Sequence, residues 1–133
     1  MHNIWIADDD EAIRLVLEES LSSAGFKTKS FSSGDDLVSE LESSEPDLII
    51  TDVQMPGMLG YDLLKHITNN YEDLPVIVMT AFADMQAAVE SFGGGAFEYM
   101  PKPFDLEDAI KIVERALEEK PKTKGLKKDT KLD

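Results

Sequence analysis

Five residues of this sequence carry groups that could together take part in phosphate chemistry. They are the paired carboxylates of Asp8 and Asp9, a third carboxylate at Asp52, the hydroxyl of Thr80 and the ammonium of Lys102. Carboxylates within about 4 Å of one another repel by roughly 4 kcal/mol per pair at an effective dielectric constant of about 20, unless positive charge lies among them. One lysine is too little for three acids, so a hard cation such as Mg²⁺ is expected beside them.

Acids, a cation, a lysine and a hydroxyl in one place form a site for a phosphoryl group. Lys102 and the cation would neutralise the phosphoryl oxygens while Asp52 attacks phosphorus, which produces an acyl phosphate on Asp52. A carboxylate is ionised at neutral pH and needs no general base. Neither histidine, His2 or His66, stands at a predicted strand end, so neither is expected to act in place of Asp52.

Strand-like segments alternate with helix-like segments along the chain, and this alternation must bring the five groups together. The predicted strands are residues 4–7, 27–31, 47–52, 76–80 and 96–100. The alternation implies parallel strands joined by right-handed crossovers, which gives an α/β three-layer sandwich. The second strand is polar and suits a sheet edge, which favours the flavodoxin-like (βα)5 fold with strand order 2-1-3-4-5. In that fold ligands bind at the carboxyl ends of the strands.

The segments between the strands have apolar residues at helical spacing. Ser33 marks the start of the second helix, Asp105 the start of the fifth, and Gly25 the end of the first. Asp10 is interpreted as the N-cap of the first helix, with a place among the metal ligands as the alternative. The three glycines at 93–95 predict that the fourth helix is short or loosely held at its end. The residues predicted to face the core are Ile13, Val16, Leu17, Leu21, Ala24, Leu37, Val38, Leu41, Leu63, Leu64, Ile67, Met85, Ala88, Val89, Phe92, Leu106, Ala109, Ile110, Val113 and Leu117.

The charge is strongly acidic and unevenly distributed. The chain carries −14 in total; residues 120–133 hold six lysines and two aspartates, a net +4, which leaves −18 on residues 1–119. A body this acidic repels nucleic-acid phosphates, so direct nucleic-acid binding by it is not expected. We predict one folded domain over residues 1–119 and a flexible lysine-rich linker or tail over residues 120–133.

The ends and the hydropathy of the chain bear on its location. No apolar run approaches the length of a membrane span, and the chain enters a strand-like segment at once, without a leader. A cytoplasmic location without membrane contact is therefore expected. The absence of cysteine agrees with this only weakly.

These residues together resemble the receiver domain of two-component response regulators over about residues 3–117. The stretch 95–105 is most similar to the receivers of nitrogen-regulation (NtrC-like) activators. The features that carry the resemblance are the Asp8-Asp9 pair, Asp52 before Met55-Pro56-Gly57, Thr80-Ala81, Gly95-Ala96, Tyr99 and Lys102-Pro103.

The resemblance implies a set of roles around a metal ion. Asp52 would be the phospho-acceptor for a partner histidine kinase. Asp9 and Asp52 would bind Mg²⁺ directly, with Mn²⁺ able to substitute, Asp8 would bind mainly through water, and Gln54 would bind through its backbone carbonyl. Leu59 departs from the family pattern, in which Asp or Asn is common, so we expect the third helix to begin without a side-chain cap.

The resemblance also implies a switch and an output. Thr80 and Lys102 would bind the phosphoryl group, Tyr99 would be the switch aromatic, and the peptide between Lys102 and Pro103 would be cis. Phosphorylation would change the face made by the fourth helix, fifth strand and fifth helix. That face would serve a receiver–receiver dimer or an output domain absent from this chain, which would activate transcription. The only reactions expected of the domain are its own phosphoryl transfer and autodephosphorylation.

Three other interpretations deserve comparison. A flavodoxin-like FMN carrier shares the fold but needs a Ser/Thr/Gly-rich loop after the first strand, where this chain has residues 8–11, all acidic. A haloacid-dehalogenase-type phosphatase also uses an aspartyl nucleophile with Mg²⁺, but it expects a second aspartate two residues later, where this chain has Gln54. The third is a receiver-like scaffold that is never phosphorylated.

Overall fold

The computed structural model describes residues 2–55, 57–92 and 95–119, without the side chain of Phe92. Strands and helices alternate through these residues, and a short 3-10 helix, Phe82–Asp84, precedes α4. The strands are β1 Asn3–Ala7, β2 Lys27–Phe31, β3 Leu48–Asp52, β4 Val76–Ala81 and β5 Glu98–Lys102. The helices are α1 Glu11–Ser23, α2 Gly34–Leu41, α3 Gly60–Asn70, α4 Met85–Phe92 and α5 Leu106–Glu119.

The five strands form one parallel sheet in the order β2-β1-β3-β4-β5. The predicted flavodoxin-like order is therefore confirmed. Residues 4–7 of β1 and residues 48–51 of β3 are buried throughout, as expected for strands covered by helices on both faces. In β2, Lys27 and Lys29 are exposed, which suits the edge position and discourages pairing with another chain.

Two apolar cores lie on opposite faces of the sheet, because successive side chains of a strand point to opposite sides. One core joins Trp5, Ile49 and Val78 to α2, α3 and Ala88 of α4. The other joins Ile6, Ile50 and Met79 to α1 and α5. Both faces of the central strands are thus buried under helices. Polar groups can reach solvent only at the ends of these strands.

The residues predicted to cap the helix N-termini make the expected hydrogen bonds. The Asp10 side chain accepts a hydrogen bond from the Ala12 amide at 2.9 Å, and Ser33 Oγ accepts one from the Asp36 amide at 3.2 Å. Asp105 Oδ1 accepts the Glu107 amide at 2.8 Å. The helix α3 begins after Leu59 without a side-chain cap, as expected.

The structure corrects several boundaries and faces. The strand β5 begins and ends two residues later than predicted, because it pairs with β4 from Ile77–Glu98 to Ala81–Lys102. Val16 and Val89 are 41% and 42% exposed and Ala24 is also exposed, because the contact face of each helix is narrower than its apolar stripe. The expectations for the Phe92 side chain, for Gly93 and Gly94 and for residues 120–133 fall outside the described part of the chain. None of the described helices is long and apolar enough to span a bilayer.

Candidate functional site

The carboxyl edge of the sheet gathers the groups expected from the sequence. Asp8 directly follows β1, and Asp52 is the last residue of β3. Thr80 is the penultimate residue of β4, and its neighbour Ala81 pairs with Lys102 of β5. The peptide bond between Lys102 and Pro103 is cis, as the resemblance implied.

Lys102 joins two of the three acids. Its Nζ lies 2.8 Å from Asp8 Oδ2 and 3.2 Å from Asp52 Oδ2. The Asp8 side chain is wholly buried, and its other oxygen, Oδ1, accepts the Asp10 amide at 2.9 Å. Both oxygens of Asp8 therefore have protein partners, whereas Asp52 has 14% of its side chain exposed.

The pKa values follow from this burial and pairing. Burial raises the pKa of Asp8 and the nearby charge of Asp52 raises it further, against the lowering by Lys102 and the Asp10 amide. Burial alone would lower the pKa of Lys102, but its hydrogen bond to Asp8 and the charge of Asp52 outweigh burial and raise that pKa. Lys102 is therefore cationic at neutral pH.

The acid cluster fits a small hard cation. One carboxylate oxygen from each of Asp8, Asp9 and Asp52 lies within 4.8 Å of the others. Three carboxylates beside one ammonium leave an excess of negative charge, and carboxylate oxygens are the ligands that Mg²⁺ prefers. Asp10 instead uses its carboxylate to cap α1, so of the two interpretations of Asp10 the structure favours the cap.

A groove of about 1120 Å³ opens onto the acid cluster. Its lining includes Asp9, Asp52, Thr80 and Lys102, and it continues along α4 past Ala88. Thr80 is only 3% exposed, so its hydroxyl lies in the wall of the groove and not on the outer surface. A phosphoryl group could enter through this opening and meet the carboxylate, the ammonium and the hydroxyl together.

Gln54 follows the carboxyl end of β3, whereas Tyr99 lies in β5 three residues before Lys102. Gln54 is in the loop after β3, with its side chain exposed. Tyr99 pairs with Val78 in the sheet, so it shares a face with Thr80, which lies two residues further along β4. Tyr99 is half-buried and packs against the first core.

The sequence did not identify the residues that hydrogen-bond to the backbone of the site residues and of Val53, which follows Asp52. Thr51 Oγ1 donates a hydrogen bond to the Asp52 carbonyl at 3.0 Å, and Arg14 Nη1 donates one to the Asp8 carbonyl at 2.7 Å. Gly60 donates its amide to the Val53 carbonyl at 2.8 Å and packs its Cα against this peptide. The glycine at the start of a predicted helix was the available signal, since glycine is a poor helix former.

We expect Asp8→Asn to raise the free energy of unfolding at neutral pH in the absence of Mg²⁺. The pKa of Asp8 is raised above its ordinary value of 3.8 in the folded protein, chiefly by burial. The folded state then holds this proton more tightly than the unfolded chain, so the stability linked to it is lost as pH rises through the folded pKa. Urea unfolding at a series of pH values should show the free energies of unfolding of variant and wild type approaching each other as the pH falls to the ordinary Asp pKa. A variant that is less stable at neutral pH would contradict this.

Comparison with known proteins agrees with the geometry. Residues 4–114 match the model of the response regulator receiver domain family. The chain is 46% identical over 114 residues to the DNA-binding transcriptional regulator NtrC of Salmonella typhimurium, an alignment that covers 86% of this chain and 24% of that protein. The chain thus spans about a quarter of the length of the NtrC relatives it matches.

Two solved structures show the same fold. One is the solution structure of the apo receiver domain of nitrogen regulatory protein C, with a TM-score of 0.80 and 45% identity over 88% of this chain and 94% of that one. The other is response regulator TrrA of Thermotoga maritima in complex with Mg²⁺-BeF, with a TM-score of 0.79 and 28% identity over 87% of this chain and 99% of that one. The chain therefore belongs to the response regulator receiver domain family.

Proposed function

We propose that this domain accepts a phosphoryl group on Asp52 from a sensor histidine kinase, in a reaction that needs Mg²⁺. The observation that carries the proposal is the Lys102 Nζ, which lies 3.2 Å from the partly exposed carboxylate of Asp52, beside two further acids. A cation-paired carboxylate that faces an open groove suits a nucleophile. A purely structural ion pair would have no need of the two neighbouring acids.

Asp52, Lys102 and Thr80 have separate roles in the proposed phosphoryl transfer. An oxygen of Asp52 attacks phosphorus as the bond between phosphorus and the donor nitrogen breaks. Lys102 neutralises a phosphoryl oxygen, and the Thr80 hydroxyl donates a hydrogen bond to another. Because Lys102 is already held by the buried Asp8, little reorganisation is needed when the phosphoryl group arrives. Attack of water on phosphorus would break its bond to the Asp52 oxygen and release inorganic phosphate, which is the autodephosphorylation expected of the domain.

The metal ligands proposed are Asp9 and Asp52 directly, the Gln54 carbonyl, and Asp8 through water. When bound, Mg²⁺ supplies charge neutralisation for the phosphoryl oxygens. The water-mediated role of Asp8 is supported by its two oxygens, which already accept from Lys102 and from the Asp10 amide. The TrrA relative is a complex with Mg²⁺-BeF, which supports the choice of metal.

We further propose a switch through Thr80 and Tyr99. The Thr80 hydroxyl would turn toward the phosphoryl group, and Tyr99 would move into the space vacated on the same face of the sheet. The segment 81–95 would rearrange with them. Its exposed apolar side chains support a docking role, since Phe82 is 78% exposed and Val89 is 42% exposed.

The output and the partners belong to the same proposal. The face of α4, β5 and α5 would pair two receivers or contact an output domain that controls transcription, as the name of the NtrC relatives suggests. A cytoplasmic location and the division at residue 119 stay predictions from the sequence. The family match leaves the flavin-carrier and phosphatase interpretations without support.

The proposal is tested by intact-mass measurement after incubation with acetyl phosphate. With Mg²⁺ the wild-type chain should gain one phosphoryl mass. With EDTA in place of Mg²⁺ it should gain none, because three acids beside the single ammonium of Lys102 keep a net negative charge that repels the incoming phosphate. The control is the EDTA-treated sample after excess Mg²⁺ is restored. No gain under any condition would favour the never-phosphorylated scaffold.

A further inference from the structure

The start of α2 is tied to the loop that follows Asp52. Asp35 Oδ2 accepts a hydrogen bond from the Met58 amide at 3.3 Å, across 23 residues of sequence. The same oxygen lies against Gly57, where an added Cβ would come within 2.5 Å of it. Gly57 has a φ of +77°, a conformation that favours glycine. The carboxylate thus sits in a bend of the loop that only a glycine makes available.

A second contact in the same place brings α2 and the loop together. Gly34, the first residue of α2, lies so close to Met58 that an added Cβ would be 3.3 Å from the Met58 Cβ. Met58 in turn packs against the first core. Two consecutive residues at the start of α2, Gly34 and Asp35, therefore lie against Met58.

The other restraints seen in the described part of this loop lie at its two ends and at Met55. It runs from Val53 to Leu59, between the end of β3 and the start of α3. Its beginning is held because the Val53 amide donates to the Met79 carbonyl at 3.0 Å, and its middle is held by the buried Met55 side chain. Gln54, whose carbonyl is a proposed metal ligand, lies between those points with its side chain exposed. The loop closes where the Gly60 amide donates to the Val53 carbonyl at 2.8 Å, and Gly57 and Met58 are the loop residues that contact α2.

We propose that Asp35 is a positioning residue for the phosphoryl site. Its carboxylate fixes the Gly57–Met58 bend and so holds the loop in the conformation that presents the Gln54 carbonyl to Mg²⁺. Residues that orient metal ligands commonly alter metal affinity when they are changed, although they do not touch the metal. This inference rests on the proposed function, because it assumes that Mg²⁺ binds there.

A simpler role for Asp35 is to place negative charge near the positive end of the α2 dipole. Asp36 offers a direct comparison, because it lies in the same turn with the same charge and an exposed side chain. If dipole or net charge were all that mattered, the two aspartates would be equivalent. The hydrogen bond to the loop distinguishes Asp35.

The test measures Mg²⁺ affinity of the full chain by isothermal titration calorimetry in three variants. Asp35→Ala should weaken binding by roughly three- to ten-fold, the range expected when one hydrogen bond that orients a ligand is lost. Asp35→Asn keeps an acceptor oxygen and should stay within about two-fold of wild type, as should Asp36→Ala. Hydrogen exchange of the Met58 amide should accelerate in Asp35→Ala alone, which links the affinity change to the loop.

The outcomes separate this inference from the proposed function. An Asp35→Ala protein that binds Mg²⁺ like the wild type overturns the positioning role and leaves the proposed function intact. Equal weakening in Asp36→Ala or in Asp35→Asn also overturns it, because charge and not the contact would then be responsible. A wild type that binds no Mg²⁺ at all overturns both.

Discussion

Asp52→Asn is expected to abolish the phosphoryl mass gain that the wild type shows with acetyl phosphate and Mg²⁺. An amide oxygen is not an ionised nucleophile, and the substitution also removes one of the three acids of the metal cluster. The fold should survive, because Asn has almost the same shape and Lys102 keeps its closer partner, Asp8, at 2.8 Å. Intact-mass measurement detects the loss, and circular dichroism checks the fold.

The matched control is Asp62→Asn, the same substitution at an exposed residue in the first turn of α3. It changes the net charge by the same amount and should gain phosphoryl mass like the wild type. A gain in Asp52→Asn equal to that of the wild type would mean that another residue accepts the group. Asp9→Asn is expected to lie between the two, because it weakens metal binding but leaves the nucleophile.

Most of the site could be predicted from the sequence because the residue pattern identifies where each strand ends. An apolar run that stops at a charged or hydroxyl residue marks a carboxyl end, and parallel strands bring such ends to one edge of the sheet. The polar character of β2 then places it at the sheet edge, and the order 2-1-3-4-5 follows. The positions of Asp8, Asp52, Thr80 and Lys102 needed no more than this.

The details that could not be predicted depend on distances between separate segments. Helical spacing identifies an apolar face but not the width of its contact, which is why Val16 and Val89 were wrongly predicted to be buried. Lys102 was expected among the acids, but not its closer approach to Asp8 than to Asp52. The hydrogen bond between the Met58 amide and Asp35 joins residues 23 positions apart in different segments, so no local sequence pattern indicates it.

Gly60→Ala is expected to lower the free energy of unfolding by roughly 2 to 3 kcal/mol, as overpacking against a fixed backbone does. Helix propensity alone predicts the opposite sign, since alanine favours a helix over glycine by up to about 1 kcal/mol. The clash should prevail because an added Cβ would lie 2.8 Å from Val53 Cα and closer still to the Asp52 carbonyl oxygen. Both neighbours are backbone atoms at the end of β3, which cannot move aside as a side chain can.

The same substitution at Gly95 is the control for Gly60→Ala, and urea unfolding measures both. At Gly95 the nearest described atoms to an added Cβ are side-chain atoms of Leu64 and Thr68, at 3.4 Å or more, so stability should change by about 0.5 kcal/mol or less. The Gly60 variant should also be phosphorylated more slowly, because any shift that relieves the clash moves the Asp52 peptide and with it the acceptor carboxylate. Equal stability of the two variants would mean that α3 can withdraw from β3 freely, and that the acceptor is not held by this approach.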